Sequence, residues 1–528
     1  MTIKSLLTIV LIFSTLSGLR AQEAYPSLAA DTLRHPWLNP SLNMLQFYKR
    51  EAVESFYKAL VKAPEKRLSI VHLGDSHLQN DVLPGQIRQR FQEDEGDGGR
   101  GLMFAFSTAK TYSSVDYNTY HTGIWQAARS ITTKPQVPLG VRGMSCRTNQ
   151  AGASLRFEMK VAVPESHTIL KIFCKKAPTA FDISVEIDGQ APIVLRADSS
   201  SAESSYLWTI IPPLQKNIVL RTAKRYASQN EFEFYGMSLE SSRGGGVIFH
   251  NAGVGAARYH SVLYQQHFAK QLPALEPNLV IVDFGTNDYL YYDRLEPELE
   301  GEIRQVIATI RKASPKAAIL LTTVQDLYWK GKNVQSGAAF AALIHEIAAD
   351  TDCAVYDWHW VSGGQSTMQQ WVQAKLAQKD MIHLLYSGSR LKGDLMYEAI
   401  RNTGKWLADY PDSTRLLLPL EQAKANQAKF QKLNNPFVKT NTQKNTLPKE
   451  EKPAKEEKAS SKPEEKKEDK APAEAGADGI IRHLIEDGDT LYSLARRYGV
   501  TVEQLRKWNK LRGNLIVTGQ TLLVYPKQ

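Results

Sequence analysis

The stretch Leu68-Ser-Ile-Val-His-Leu73 runs directly into Gly74-Asp75-Ser76-His77. A short, largely apolar run that breaks at a glycine reads as a buried parallel strand ending in a sharp turn. Comparable runs recur at Val247-Ile-Phe249, Leu279-Val-Ile-Val282, Ala318-Ile-Leu-Leu321 and Ala354-Val-Tyr356. Between or after them lie amphipathic stretches such as Leu295–Lys312 and Ala338–Ala349. Strand and helix in alternation predict an α/β, doubly wound sheet. Ligands of such sheets bind at the carboxyl ends of the strands, so Ser76 stands where a nucleophile belongs.

The strand-helix pattern is interrupted from about Gly140 to Arg243, where the period changes to two. Leu155, Phe157, Met159 and Val161 alternate with their neighbours, as do Phe181, Ile183, Val185 and Ile187 before the turn signal Asp188-Gly189. This predicts a β-sandwich (140–243) inserted between two parts of the α/β domain, 35–139 and 244–412. From 436 to 479 the composition collapses to Lys, Glu, Pro, Ala and Ser. With almost nothing apolar to offset ordering entropy, this segment reads as a disordered spacer. As a coil it would span about 35–40 Å. A last unit, 480–528, reads as strand, helix, helix, strand.

The chain has 528 residues, 42% hydrophobic and 23% charged, which excludes fibrous and wholly disordered classes. A net charge of +10, spread over 65 basic and 55 acidic residues, is a mild excess that decides little about partners. Three cysteines exclude a disulfide scaffold and a multi-cysteine zinc site. Lys4, the apolar run Leu6–Leu16 and the small residues up to Ala21 read as a signal peptide over 1–21. That run is short of the ~18 residues needed to span a bilayer, and no later stretch is long and apolar enough. The expectation is an exported protein in the periplasm or cell wall, with no integral membrane segment after cleavage. In an oxidising compartment Cys146 and Cys174 could pair. No basic helix has base-reading spacing, so nucleic acid is not an expected partner.

Three further motifs accompany Gly74-Asp-Ser76. Asn251-Ala-Gly253-Val-Gly255 follows the Val247 run; glycine there lets backbone approach a ligand closely and turn its N–H outward, or marks only a plain strand-to-helix turn, the commoner case for the motif alone. Gly285-Thr-Asn287-Asp288 follows the Leu279 run; an Asn carboxamide at a strand end can donate to a developing oxyanion, or serve only as a cap. Asp380-Met-Ile-His383 has the spacing at which a carboxylate reaches the imidazole, fixes its tautomer and leaves the other nitrogen as a base, although a lone Asp/His pair is more often structural.

In this order, Ser76, Gly253, Asn287 and His383 resemble the SGNH (GDSL-type) hydrolase family. The resemblance implies a flavodoxin-like three-layer fold and ester hydrolysis. It implies Ser76 as nucleophile, His383 as general base and Asp380 orienting it. The implied oxyanion hole is the Ser76 and Gly253 N–H groups and the Asn287 side chain. The second motif departs from the family, reading Gly-Val-Gly-Ala where many members have Ser-Gly after the first Gly-x. His77, the Gly96-Asp-Gly-Gly99-Arg-Gly101 stretch and the β-insertion resemble peptidoglycan O-acetylesterases, whose inserted domain looks like a carbohydrate-binding module. His77 reads equally well as a packing residue.

The final unit, with Asp487-Gly-Asp-Thr-Leu491, Ala495, Tyr498, Leu505, Trp508-Asn509 and Gly519-Gln520, resembles a βααβ LysM domain. That resemblance implies binding of peptidoglycan or another N-acetylglucosamine-containing glycan. The implied groove is Gly488, Asp489, Thr490 and Leu491 with Asn514, Leu515, Ile516 and Val517. Leu505 and Trp508 read as core. Together these readings point to an exported serine esterase that removes O-acetyl groups from muramic acid C6 in peptidoglycan, with no metal or organic cofactor required. Alternatives are an esterase on another acetylated polysaccharide and a non-catalytic wall-binding protein.

Overall fold

The computed structural model describes residues 34–198 and 205–434, and in the C-terminal unit 480–485, 491, 494, 498, 500–509, 511 and 520–525. The predicted signal peptide, the spacer and groove positions 488–490 and 514–517 lie outside the described residues. Two compact units divide at 440/441.

In the first unit, five parallel strands follow in chain order. They are β1 (Leu68–Gly74), β2 (Val247–Gly253), β3 (Leu279–Asp283), β4 (Ala318–Thr322) and β5 (Ala354–Tyr356). Their spatial order is 2-1-3-4-5, the flavodoxin-like order. All their residues are buried, because both faces are covered. Val71, Leu73, Val280 and Val282 point to one core, with Ile303, Ile307 and Ile310 of the helix Leu299–Ala313. Ile70, Ile281 and Leu320 point to the other, with Ile87 and Phe91 of the helix Val82–Glu95 and Ile400 of the helix Tyr386–Asp409. The helix Leu299–Ala313 carries its apolar residues at three- and four-residue spacing. Glu300 and Glu302 in its first turn, with Arg311 and Lys312 in its last, complement its dipole.

The β-insertion is fused to this sheet rather than appended to it. Asp97–Met103 lies parallel beside β2, and the strand Phe232–Glu240 lies antiparallel beside Asp97–Met103. The same long strand pairs further along with Met144–Thr148, and its opposite edge takes Ile169–Cys174. The result is one continuous twelve-stranded sheet. A five-stranded antiparallel sheet, which includes Ser154–Met159, Asp182–Ile187 and Asn217–Ala223, contributes to the same core. Phe157 and Phe234 meet there with ring centroids 6.2 Å apart.

Two expectations need correction. The insertion begins well before residue 140, since Tyr117–Thr122 pairs with Ser154–Met159 and Gln126–Arg129 with Met144–Thr148. Both early strands lie at sheet edges and are largely polar or small, so they carry no hydrophobic alternation. Val161, the last of the alternating residues, is past the strand end and exposed. Cys146 and Cys174 do not pair; all three cysteines are free and buried. Both sit opposite Phe234, but on opposite edges of its strand. Two strand spacings, ~9.6 Å, separate them, beyond the ~7 Å Cα limit for a disulfide.

In the second unit, Ile481–Leu484 pairs antiparallel with Thr521–Val524, and the helix Val502–Trp508 is capped by Thr501 and Gln504. Asn509 exchanges hydrogen bonds with the Leu523 backbone at 2.7 and 2.8 Å, fixing the helix end to the strand. Leu491 is buried with Leu494, Leu505 and Leu522. Its side chain is therefore core, not groove lining.

Candidate active site

The strand order reverses between β1 and β3, and Ser76 lies just past the end of β1. Gly74 permits the turn: a Cβ there would stand 2.5 Å from Leu78 Cδ1 and 2.6 Å from the Asp283 carbonyl. Asp75 caps the short helix Ser76–Gln79 by accepting from the His77 N–H. Ser76 is the first helical residue, where the N–H has no intrahelical acceptor.

Ser76 Oγ lies 3.0 Å from His383 Nε2, and His383 Nδ1 lies 2.7 Å from Asp380 Oδ2. Asp380 Oδ1 accepts from the Ile382 and His383 backbone N–H groups, which closes the loop around the pair. With Nδ1–H donated to the carboxylate, Nε2 presents its lone pair to Ser76. Partial burial raises the Asp380 pKa, but the His383 hydrogen bond and the two backbone donors hold it at about 2. The structure thus brings Ser76, His383 and Asp380 into one hydrogen-bonded chain.

Asn287, on the turn after β3, donates one amide hydrogen to the Ala257 carbonyl at 3.0 Å and keeps a second for a ligand. Asp288 accepts from Gly285 N and Tyr259 N, pinning this turn to the turn after β2. Its burial pushes the carboxyl pKa up to about 7.

Gly253 does not occupy the oxyanion role expected of it. Its N–H donates to Asn251 Oδ1 at 2.8 Å, and Asn251 is locked in turn by bonds to Leu78 O and Asp81. Glycine is required there for a different reason: a Cβ would lie 2.4 Å from Leu78 Cβ and 2.8 Å from Gln79 N. Along the following turn Val254, Gly255 and Ala257 also donate within the fold. Ala256 is exposed, at φ +66°, and its N–H has no acceptor among the described residues. The departure in this motif falls on that residue and on Gly255 before it.

His77 is not a plain packing residue. Its Nδ1 meets Asp75 Oδ1 at 2.9 Å, and its Nε2 faces the Ile382 carbonyl at 3.0 Å. Its ring stacks on His383, with centroids 5.3 Å apart and 29° between planes. Burial lowers the His77 pKa, but the Asp75 carboxylate outweighs it and leaves the pKa raised. His77 therefore ties the nucleophile turn to the loop that carries His383. Gln325, oriented by Trp358, donates to the same Ile382 carbonyl.

Other participants had no sequence signal. Arg142, fully buried, donates to the Gly253 carbonyl at 2.7 Å, and burial lowers its pKa to about 10. The exposed Tyr112 donates to the Ser76 carbonyl at 3.3 Å. Lys392, on the helix after His383, pairs at 3.1 Å with Asp283 at the end of β3. That buried ion pair anchors the helix to the sheet below the site.

Residues 225–391 match the GDSL-like Lipase/Acylhydrolase family, and residues 483–524 match the LysM domain. The first match includes Asn287, Asp380 and His383 and begins after Ser76, as expected of a domain split by an insertion. An Autolysin of Enterococcus faecalis is 40% identical over 53 residues, 10% of this chain and 7% of that protein. The N-acetylmuramoyl-L-alanine amidase XlyA of Bacillus subtilis is 48% identical over 50 residues, 9% of this chain and 17% of that protein. The chain thus spans less than a fifth of the length of these curated relatives. Among solved structures, "Peptidoglycan O-acetylesterase in action, 5 min" is similar with a TM-score of 0.57 and 18% identity. The similarity covers 69% of this chain and 99% of that one.

Proposed function

From a GDSL-like acylhydrolase domain joined in one chain to a LysM domain, we propose an exported esterase that removes O-acetyl groups from muramic acid C6 in peptidoglycan. The observation that carries this reading is the Ser76–His383–Asp380 chain at the strand-order switch point of an acylhydrolase fold. The LysM domain supports the wall polymer as substrate, because it would hold the enzyme on the glycan it deacetylates.

Ser76 Oγ attacks the acetyl carbonyl as His383 Nε2 takes its proton. The oxyanion is held by the Ser76 N–H, the Ala256 N–H and the free amide hydrogen of Asn287. Loss of one such donor costs about 10²–10³ in kcat. His383 then gives its proton to the departing sugar oxygen, and water, activated by the same imidazole, hydrolyses the acetyl-enzyme. Asp380 orients His383 and stabilises its charged form throughout.

Acetate release from O-acetylated peptidoglycan tests the reading, with Ser76→Ala and acetylated xylan in parallel. Release from peptidoglycan that vanishes in Ser76→Ala is expected. Release from xylan alone would replace the substrate, and no release from either or from an aryl acetate would remove the enzyme reading.

A further inference from the structure

A cavity of about 500 Å³ opens on the edge strand Gln126–Arg129 of the long sheet. Its walls are the turn at Thr108–Lys110, Trp125, the strand itself and the segment that reaches Lys134 and Gln136. Three of its residues are cations, Lys110, Arg129 and Lys134, and none is acidic. No ion pair engages these three among the described residues, whereas the neighbouring Arg147 faces Glu231 and Glu233. Lys110 and Lys134 are exposed and Arg129 is half-buried, so an anion seated in the cavity meets three cations that have no ion-pair partner among the described residues. Trp125 adds a fixed apolar wall, its indole N–H donating to the Thr122 carbonyl and its ring set edge-on to Phe232.

The cavity wall is tied to the nucleophile turn through the segment that follows Lys110. Two residues past Lys110, Tyr112 donates to the Ser76 carbonyl. Gln79, on the nucleophile's own helix, donates to Thr111 Oγ1 at 2.9 Å and to the Tyr112 carbonyl at 3.0 Å. The wall of the cavity and the helix that carries Ser76 are thus one hydrogen-bonded unit. Arg129 acts electrostatically on the Tyr112 hydroxyl, the group that donates to the Ser76 carbonyl.

We infer that this cavity is a subsite for the carboxylates of the acetylated polymer, with Lys110, Arg129 and Lys134 as the charge contacts and Trp125 as the flat wall. The inference rests on the peptidoglycan reading, because muramyl units bear peptides rich in carboxylate groups and most other acetylated glycans do not. It gives the β-insertion a specific task, which is to select an anionic ester-bearing chain over a neutral one.

The test uses the full chain carrying Lys110→Gln, Arg129→Gln and Lys134→Gln together, with thermal melting to establish that it folds. On O-acetylated peptidoglycan the variant is expected to raise KM. The ratio of kcat/KM on the polymer to kcat/KM on an aryl acetate should fall at least tenfold. An unchanged ratio overturns the subsite while leaving the esterase reading standing. A second measurement does not depend on deacetylation. De-O-acetylated muropeptides are titrated into Ser76→Ala before and after carbodiimide amidation of their carboxylates. Amidation should weaken binding at least tenfold, and the triple substitution in the Ser76→Ala background should abolish that difference. Equal binding of the two preparations overturns the subsite, whatever the activity assay shows.

Discussion

Gly253→Ala separates packing from chemistry at the second motif. The added methyl would stand 2.4 Å from Leu78 Cβ, against a normal carbon–carbon separation of about 3.5–4.0 Å. The deficit is therefore about 1.1–1.6 Å. Gly253 cannot yield it, because its strand is in register with β1 up to Gly74 and Arg142 holds its carbonyl. The short helix Ser76–Gln79 must move, and Ser76 opens that helix. The 3.0 Å contact with His383 Nε2 would lengthen toward about 4 Å, and a misplacement of ~1 Å costs on the order of 10²-fold in rate. Overpacking should also cost about 1–3 kcal/mol of stability. The assay is kcat on an aryl acetate, corrected for folded fraction, alongside a denaturant melt. A variant within twofold of wild type in kcat and unchanged in stability would refute the reasoning. Ala256→Gly supplies the opposite sign: the left-handed residue at φ +66° costs about 1–2 kcal/mol, so glycine there should raise stability.

Four further predictions follow from neighbouring groups. Asp288→Asn should flatten a pH dependence. The carboxyl pKa is raised to about 7, so the native state binds more protons than the unfolded one between about pH 4 and 7, and wild-type stability falls across that window by on the order of 4 kcal/mol; a flat wild-type profile in urea melts would count against it. His77→Phe keeps the ring but strands the buried Asp75 carboxylate, at a cost of about 3–5 kcal/mol near neutral pH. The His77 pKa is raised, so its stabilisation is full below the ordinary imidazole range and is lost as pH rises through the elevated value; melts above and below that range should show the variant's deficit shrinking with pH. Lys392→Met should destabilise by about 3 kcal/mol, since it leaves the buried Asp283 carboxylate with Thr322 and His72 but without its lysine cation, while Lys392→Met with Asp283→Leu should recover part of the loss in a double-mutant cycle. Asp380→Asn should lower kcat on an aryl acetate by about 10⁴-fold through the wrong imidazole tautomer, with little change in melting.

The parallel sheet was legible because its strands are buried on both faces and read as apolar runs, and Ser76, Asn287 and His383 because each stands at the end of such a run or on a short Asp-x-x-His loop. The early insertion strands were not, since Tyr117–Thr122 exposes half of its residues and Gln126–Arg129 is a polar edge. Gly253 was misread because a glycine at a strand end has two physical uses. It can present a bare N–H or admit a close neighbour, and only the positions of Asn251 and Leu78 decide between them. Arg142 reaches the site from the insertion and Tyr112 from the segment before its first strand, so no local pattern marks them. His77 was visible as an unusual neighbour of the nucleophile, yet its role depends on the Ile382 carbonyl, more than three hundred positions away.

The fused sheet bears on how the enzyme can discriminate among esters. A carbohydrate module on a flexible hinge would leave the geometry between its binding surface and Ser76 variable. Here the strand Phe232–Glu240 hydrogen-bonds to Asp97–Met103 and, further along, to Met144–Thr148. Met144–Thr148 in turn pairs with Gln126–Arg129, the wall of the cationic cavity. Every step from β2 to Arg129 is therefore a strand pairing. Ordering entropy for the cavity is met in folding rather than in binding, so contacts made there remain available to position the ester. Loosening the end of the shared strand without touching the cavity tests the point. Glu240→Ala removes the buried partner of Arg67 and Lys171 at the end of the shared strand. If rigidity is what couples the two regions, this variant should lower kcat on the polymer more than kcat on an aryl acetate. Equal losses on both would mean that the insertion and the catalytic turn act independently.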